Sequence, residues 1–326
     1  MRIAIVGATG EVGRMMMSCL EELNLQIDQL DLYASAKSCG TMLYYLDRPI
    51  EVMELKEDSL LTRYDYVFFS AGAGVARTFA PIAADVSELV IDNSSAFRKD
   101  DYIPLVVPEI NGDLLHSYSG IVANPNCSTI QMVLPLHILD KAYTLKKIVV
   151  STYQAVSGSG HSGIDTLMKQ RKGSTLKGSY PEIIDLNVIP QIGVFLDSGY
   201  STEEEKMDCE TRKILRNSNV SVCATTVRVP VIYGHSASVY AEFDRQVDLG
   251  EASELLQSAE AIQVHENSYI TPLAIGNSNL AHVCRLRYGT DRHSISFWNV
   301  GHNVRIGAAA NAVNIMKLHA RMSGRI

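Results

Sequence analysis

The chain has 326 residues, 46% of them hydrophobic, and a formal net charge of −7. That length suits two domains of ordinary size, each burying its own core, and the acidic balance argues against nucleic acid or an anionic membrane surface as a partner. The opening run Met1-Arg2-Ile3-Ala4-Ile5-Val6-Gly7 is too short for a signal peptide, and no run reaches the ~18 apolar residues of a membrane span, so a cytoplasmic protein is expected.

Along the first 130 residues, apolar strand candidates at 2–6, 29–34, 65–70, 88–92 and 119–123 alternate with helical stretches. That alternation predicts a parallel, doubly wound sheet of the Rossmann type. The first strand runs into Gly7-Ala8-Thr9-Gly10-Glu11-Val12-Gly13 and then a helix with Val12, Met16, Cys19 and Leu23 at helical spacing. Glycines there let the backbone turn sharply and approach a pyrophosphate at the helix N-terminus. Gly7, Thr9, Gly10, Glu11 and Val12 are therefore expected to face a dinucleotide; a glycine-rich turn with no ligand is the alternative. The second strand ends in Ala34-Ser35-Ala36-Lys37-Ser38, with no acid at its tip. Hydroxyls at Ser35 and Ser38 and the Lys37 cation suit a 2′-phosphate, so NADP is expected over NAD. Lys37 as an ordinary exposed lysine is the alternative, and Asp31, the competing acid, lies inside the strand.

The run Asn124-Pro125-Asn126-Cys127-Ser128-Thr129 follows the strand 119–123 and precedes a helical stretch. A thiol at a helix N-terminus feels the positive end of the dipole, which favours its thiolate. The other five cysteines, Cys19, Cys39, Cys209, Cys223 and Cys284, are scattered without metal-type spacing and read mostly as small core residues. No metal is expected.

Beyond residue 145 the pattern changes. Longer strands at 146–153, 219–231, 235–245, 280–287 and 294–300 have fewer helices between them, at 203–216 and 251–262. A mixed, largely antiparallel sheet in an α+β domain follows. Residues 304–319, rich in alanine, predict a last helix that packs back on the first domain. The expected division is 1–127, with about 302–326 returning to it, and 128–301 for a catalytic and dimerisation domain.

Several polar residues in this half sit where a solvated side chain is not expected. His235 opens an alternating strand on its apolar face; a core histidine and an acid/base group fit equally well. Arg228, on a half-buried strand, needs an acceptor such as a substrate carboxylate or a structural acid. Pro230 and Gly234 break the strand between them, so the two need not lie on opposite faces. Glu210 falls on the apolar stripe of its helix between Met207 and Ile214, three residues from Lys213; an exposed ion pair is the alternative. Arg98 follows the C-terminal end of a parallel strand, where such sheets bind ligands. Gln154 ends a strand and either holds a substrate group or caps a turn.

Taken together, Gly7–Gly13, Ala34–Ser38, Asp92–Arg98, Val106–Glu109, Asn124–Gln131, Ser151–Gly158, Glu210–Lys213 and Arg228–Ser236 resemble the aspartate-β-semialdehyde dehydrogenase family. The resemblance implies an NADP-dependent, phosphorylating enzyme that reduces L-aspartyl-4-phosphate to the semialdehyde and releases phosphate. It places the reaction in the biosynthesis of lysine, threonine, methionine and diaminopimelate. It implies Cys127 as the thioester nucleophile, His235 as acid/base and Gln154 as the group orienting the substrate beside the thiol. Arg228 would clamp the α-carboxylate and Glu210 the α-ammonium, Arg98 and Lys213 would bind the phosphoryl group, and Asn126 would join the substrate site. Ser157, Gly158 and Asn303 would help place the nicotinamide, and the assembly would be a homodimer or a dimer of dimers. The chain departs from the family pattern between Gly160 and Pro190, which looks short, and at Ile306, where lysine is common. An N-acyl-glutamyl-phosphate reductase, another acyl-phosphate reductase or a non-catalytic nucleotide-binding paralogue are the competing readings. In the first of these an acid at Glu210 would have no free ammonium to meet.

Overall fold

A computed structural model describes all 326 residues, which divide into two compact units, Met1–Pro125 with Ala308–Ile326, and Asn126–Gly307. In the first, the strands are β1 (Arg2–Val6), β2 (Gln29–Ala34), β3 (Met42–Tyr45), β4 (Arg48–Glu54), β5 (Tyr66–Phe69), β6 (Leu89–Asp92) and β7 (Gly120–Ala123). The helices are α1 (Glu11–Glu22), α2 (Ala73–Val86) and the single turn α3 (Pro108–Asn111). The sheet order is β3-β4-β2-β1-β5-β6-β7, parallel throughout except for β3. Strand alternation sorts its two faces: Ile3 and Ile5 join Met16 and Leu20 of α1 in one core, while Ala4 and Val6 join Ala76, Ala80 and Ala83 of α2 in the other. Because β2 and β5 lie on opposite sides of β1, the chain reverses its winding at the end of β1, the position where such sheets take ligands.

The second unit contains α4 (Cys127–Tyr143), β8 (Leu145–Gln154), α5 (Gly160–Arg171), α6 (Thr202–Leu215), β9 (Ser221–Arg228), β10 (His235–Phe243), α7 (Leu249–Gln257), β11 (Ile262–His265), β12 (Ala281–Tyr288) and β13 (Ser294–Gly301). Its six strands run in the order β11-β12-β13-β10-β8-β9. The pairs β8–β9 and β11–β12 are parallel and the other three antiparallel, the mixed and largely antiparallel sheet that the pattern predicted. Helix α4 packs on one face against β8, β10, β12 and β13. On that face Ile148, Val150, Ala237, Val239, Ala241, Ile295 and Phe297 are buried, whereas Val149 is exposed and Tyr153, Tyr240 and Trp298 are half-buried. The chain then returns to the first unit as α8 (Ala310–Met322), whose Val313, Ile315 and Met316 complete the core around α1.

The division falls at Asn126, so Cys127 opens the second unit instead of closing the first. The physical reason is local: the Asn126 side chain caps α4 and so belongs with that helix. Likewise the return to the first unit begins at Ala308, later than 302, because Gly301 still pairs with His235 in the second sheet and the residues that follow it, through Gly307, stay with the second unit. The expectation that most cysteines are core residues fails. Only Cys19 and Cys284 are buried; Cys39 lies on an exposed turn and Cys223 faces outward from edge strand β9. No helix is long and apolar enough to cross a membrane.

Candidate active site

One end of the second sheet gathers most of the residues singled out above. Strands β8 and β9 are parallel and β10 runs against β8, so the last residues of β8 and β9 and the first of β10 share an edge. Gln154 and Arg228 are direct cross-strand partners there. Inward-facing positions on β8 and β10 are the even residues Ile148, Val150, Thr152 and Gln154, and the odd residues His235, Ala237 and Val239. Arg228 faces inward with Thr226. The break at Val229–Gly234 resets the alternation, which is how residues seven apart come to share a face.

Helix α4 brings the thiol to this edge. Its N-cap, Asn126, accepts hydrogen bonds at Oδ1 from the N–H groups of Ser128 (2.9 Å) and Thr129 (3.4 Å). Its Nδ2 donates to Glu203 Oε1 (2.8 Å), and its backbone N–H donates to Glu210 Oε2 (2.6 Å). Two buried acids of α6 thus hold the residue before Cys127. Cys127 itself is half-buried, and its sulfur interacts electrostatically with Arg228. A Cβ on Gly307 would stand 2.8 Å from the Cys127 Cβ, so glycine there is what lets the chain pass against the thiol-bearing residue. The N–H groups of Ser128 and Thr129 are thereby satisfied by the Asn126 side chain.

His235 is fully buried. Its Nδ1 accepts from the Ala155 N–H (3.0 Å), so the neutral ring carries its proton on Nε2. Nε2 makes no hydrogen bond within the protein and lies toward Gly158, whose absent Cβ would stand 3.3 Å from it and 2.8 Å from Arg228 Nη1. Burial first, then the charges of Arg228 and His302, hold the imidazole well below its ordinary pKa. The ring is therefore a neutral Nε2–H donor. Arg228 is buried over the Tyr180 ring, and its Nη1 donates to Ala155 O (2.7 Å). Burial lowers its pKa and Tyr180, Glu203 and Cys127 raise it.

The Gln154 Nε2 donates to Thr152 Oγ1 (3.3 Å) and Glu203 Oε1 (3.4 Å). Glu210 is 1% exposed, which removes the solvated ion pair as an explanation of it, and Lys213 is half-buried one turn further along α6. Asn303 donates to Ser157 Oγ (2.9 Å) and accepts from the Gly234 N–H (2.9 Å), fixing the loop that leads into His235. Glu203 is the member that sequence reading missed. The stripe Met207, Glu210, Ile214 that marked Glu210 continues one turn back to Glu203, so the signal was present.

In the first unit, Gly7 has φ +86°, and a Cβ there would lie 2.7 Å from Ser70 O. A Cβ on Gly13 would collide with Gly7 O. Helix α1 begins at Glu11 behind the N-cap Gly10, with no side-chain cap, so the positive end of its dipole faces the glycine loop, where an anion is stabilised. The residues thus fit a dinucleotide pyrophosphate. Ser35 and Lys37 are exposed and Ser38 half-buried on the turn after β2. Asp31 is engaged by Tyr64 Oη (2.7 Å) and Gln29 Nε2 (2.7 Å) inside the strand. Arg98 is buried, with Nη2 donating to Asn93 O (2.8 Å) beside the end of β6. No group of three or more His, Cys, Asp or Glu side chains gathers as a metal site.

A doubly wound dinucleotide fold and a thiol beside a buried arginine and histidine define a nucleotide-dependent oxidoreductase of the aldehyde class. The NAD-binding domain of semialdehyde dehydrogenases matches residues 2–118, and their dimerisation domain matches residues 135–306. Aspartate-semialdehyde dehydrogenases of Aquifex aeolicus and Bacillus subtilis are 44% and 41% identical to the chain, each alignment covering 97% of it and 97% and 96% of the relative. The crystal structure of aspartate semialdehyde dehydrogenase II from Vibrio cholerae complexed with ASA superposes with a TM-score of 0.95 at 38% identity, over 98% of both chains. The chain belongs to the aspartate-semialdehyde dehydrogenase family, and its activity is oxidoreduction at an aldehyde group.

Proposed function

We propose that the protein is the NADP-dependent, phosphorylating aspartate-semialdehyde dehydrogenase of aspartate-family amino-acid biosynthesis, working through a Cys127 thioester. The observation that carries this reading is the convergence of Cys127, Arg228 and His235 at one sheet edge, with Glu210 buried behind the nucleophile. The Cys127 thiolate attacks the β-carbonyl carbon of aspartyl phosphate; the C–S bond forms, the C–O bond to phosphorus breaks, and phosphate leaves. A covalent intermediate divides one difficult step into two easier ones. Arg228 pairs with the substrate α-carboxylate, Glu210 takes the α-ammonium, Asn126 and Gln154 orient the acyl group, and Arg98 and Lys213 take the phosphoryl group. The neutral Nε2–H of His235 donates to the oxygen that becomes negative when the thioester is reduced. NADP(H), when bound, supplies or accepts the hydride. Gly7, Thr9, Gly10, Glu11 and Val12 would hold its pyrophosphate, Ser35, Lys37 and Ser38 its 2′-phosphate, and Ser157, Gly158 and Asn303 its nicotinamide half.

The dimerisation domain carries a run of exposed apolar side chains, Leu186, Val188, Val194, Phe195 and Tyr200, and the sheet face opposite α4 exposes Val149. Patches of this kind mark protein interfaces, and pairing with a second copy through the second unit is the assembly we infer. The test of function is a dinucleotide-reduction assay with aspartate semialdehyde, with NAD and the N-acyl-glutamate analogue as controls. Phosphate-dependent reduction of NADP is expected; reduction independent of phosphate, or equal rates with the N-acyl analogue, overturns the reading.

A further inference from the structure

Glu203 is placed at the centre of this constellation without touching the nucleophile. Its carboxylate is 7% exposed, on the second residue of α6, two helical turns before Glu210. One oxygen, Oε1, accepts from both Asn126 Nδ2 (2.8 Å) and Gln154 Nε2 (3.4 Å). The other, Oε2, pairs with Lys206 Nζ at 3.2 Å. Arg228 feels the same charge from β9. A single acid therefore joins the N-cap residue before Cys127, the amide at the end of β8 and the guanidinium at the end of β9.

We propose that Glu203 is a positioning residue of the reaction, orienting the Asn126 and Gln154 amides and acting as the internal counter-charge of Arg228 beside the thiol. The proposal rests on the assignment of Cys127 and Arg228 given above. An ionised carboxylate in a buried place needs compensation, and here it is supplied on every side. Burial pushes the carboxyl up, but Lys206, the Asn126 amide and Arg228 outweigh that and hold it below the ordinary glutamate value. The geometry also has a direction. With Nε2 donating to Glu203 and Thr152, Gln154 turns its carbonyl oxygen away from both. With Oδ1 bound to two helix N–H groups and Nδ2 to Glu203, the Asn126 side chain is held at both ends. Loss of the Glu203 charge leaves Arg228 less balanced, and a thiolate beside a less balanced cation forms at lower pH.

The charged and titratable groups around Glu203 are Lys206 and Glu210 on its own helix, Cys127 at the start of α4, Arg228 on β9 and His235, across Gly158 from Arg228, on β10. Glu210 keeps its bond to the Asn126 N–H when Glu203 is changed, so the two acids separate experimentally. The test is Glu203→Gln in the full-length enzyme, with the rate of Cys127 alkylation by iodoacetamide followed against pH and kcat and KM measured in the semialdehyde assay. The expected result is an alkylation profile displaced to lower pH by about half a unit or more. With it should come a kcat reduced about tenfold or more at a KM within about twofold. A profile that coincides with wild type overturns the proposal, whatever kcat does, because a merely structural acid would lower the amount of folded enzyme without moving the thiol. Should Glu203→Gln fail to fold, Glu203→Asp carries the test. It keeps the charge but retracts it from Asn126, so the profile stays in place and kcat falls about tenfold; unchanged kcat overturns the proposal. The Cys127→Ser variant tests the thioester assignment separately, since the alkylation profile does not depend on which reaction the thiol performs.

Discussion

The glycine loop of the first unit and the sheet edge of the second are built on different principles. The loop is contiguous in sequence: Gly7, Gly10 and Gly13 act through backbone shape, against one another and against the backbone at Tyr33 and Ser70. The sheet edge is assembled from Asn126, Gln154, Glu203, Glu210, Arg228 and His235, which meet only because β8, β9 and β10 pair in one register and α4 and α6 pack beside them. A backbone site tolerates changes of side chain around it, whereas a register-built site depends on each side chain and on the bare spaces between them.

The largest test of that contrast is Cys127→Ser. Turnover should fall by about three orders of magnitude or more, while dinucleotide binding, followed by fluorescence titration, stays within about twofold because the glycine loop is untouched. Joint loss of both would break the separation. Next in size is Gly158→Ala, which places a methyl group 2.8 Å from Arg228 Nη1 and 3.3 Å from His235 Nε2. A displacement of that order should lower kcat/KM about a hundredfold, with a normal circular dichroism spectrum; wild-type kinetics would mean that the edge is looser than its geometry. Lys37→Glu acts on the other region. It should weaken NADP binding by about ten- to a hundredfold and leave NAD within a few-fold, and equal effects on both would remove Lys37 from the 2′-phosphate site.

The smallest effect is on stability. His235, His282 and His302 are all held below the ordinary histidine pKa, by burial first and then by neighbouring cations or histidine, His282 and His302 to about 4. In the unfolded chain they bind protons near about pH 6.5, so the unfolded state holds more protons between that value and about 4. Their contribution is complete above about pH 6.5 and is lost as the pH falls toward about 4. Tm should therefore fall between pH 7 and pH 5, and fall less steeply in His282→Gln, which lies on β12; identical slopes would exclude His282 from the effect.

The strands of the parallel sheet were legible because they are short, apolar and separated by helices at 3.6-residue spacing. The β3–β4 hairpin was not. Its turn uses Leu46 and Asp47 at φ 47° and 60°, without the glycine that signals such turns, and Pro49 weakens the strand pattern. Helix α5 was missed because Gly160 and Gly163 lower its propensity and no side chain caps it. Strand β11, four residues at a sheet edge, overlaps the predicted helix 251–262 only at Ile262, and its remaining residues are too few to show an alternation. At the site, single residues in unusual places could be read: Glu210 on an apolar stripe, His235 on an inward face. Their partners could not, because the Ala155 N–H that fixes the His235 tautomer and the Asn126 cap that occupies the Ser128 N–H are long-range or backbone contacts.

The most direct measurement is intact-protein and peptide mass spectrometry after rapid quench of the enzyme with aspartate semialdehyde and NADP in the absence of phosphate. An aspartyl adduct on the peptide containing Cys127, discharged when phosphate is added, is the predicted result. An unmodified Cys127 after NADPH has formed would contradict it.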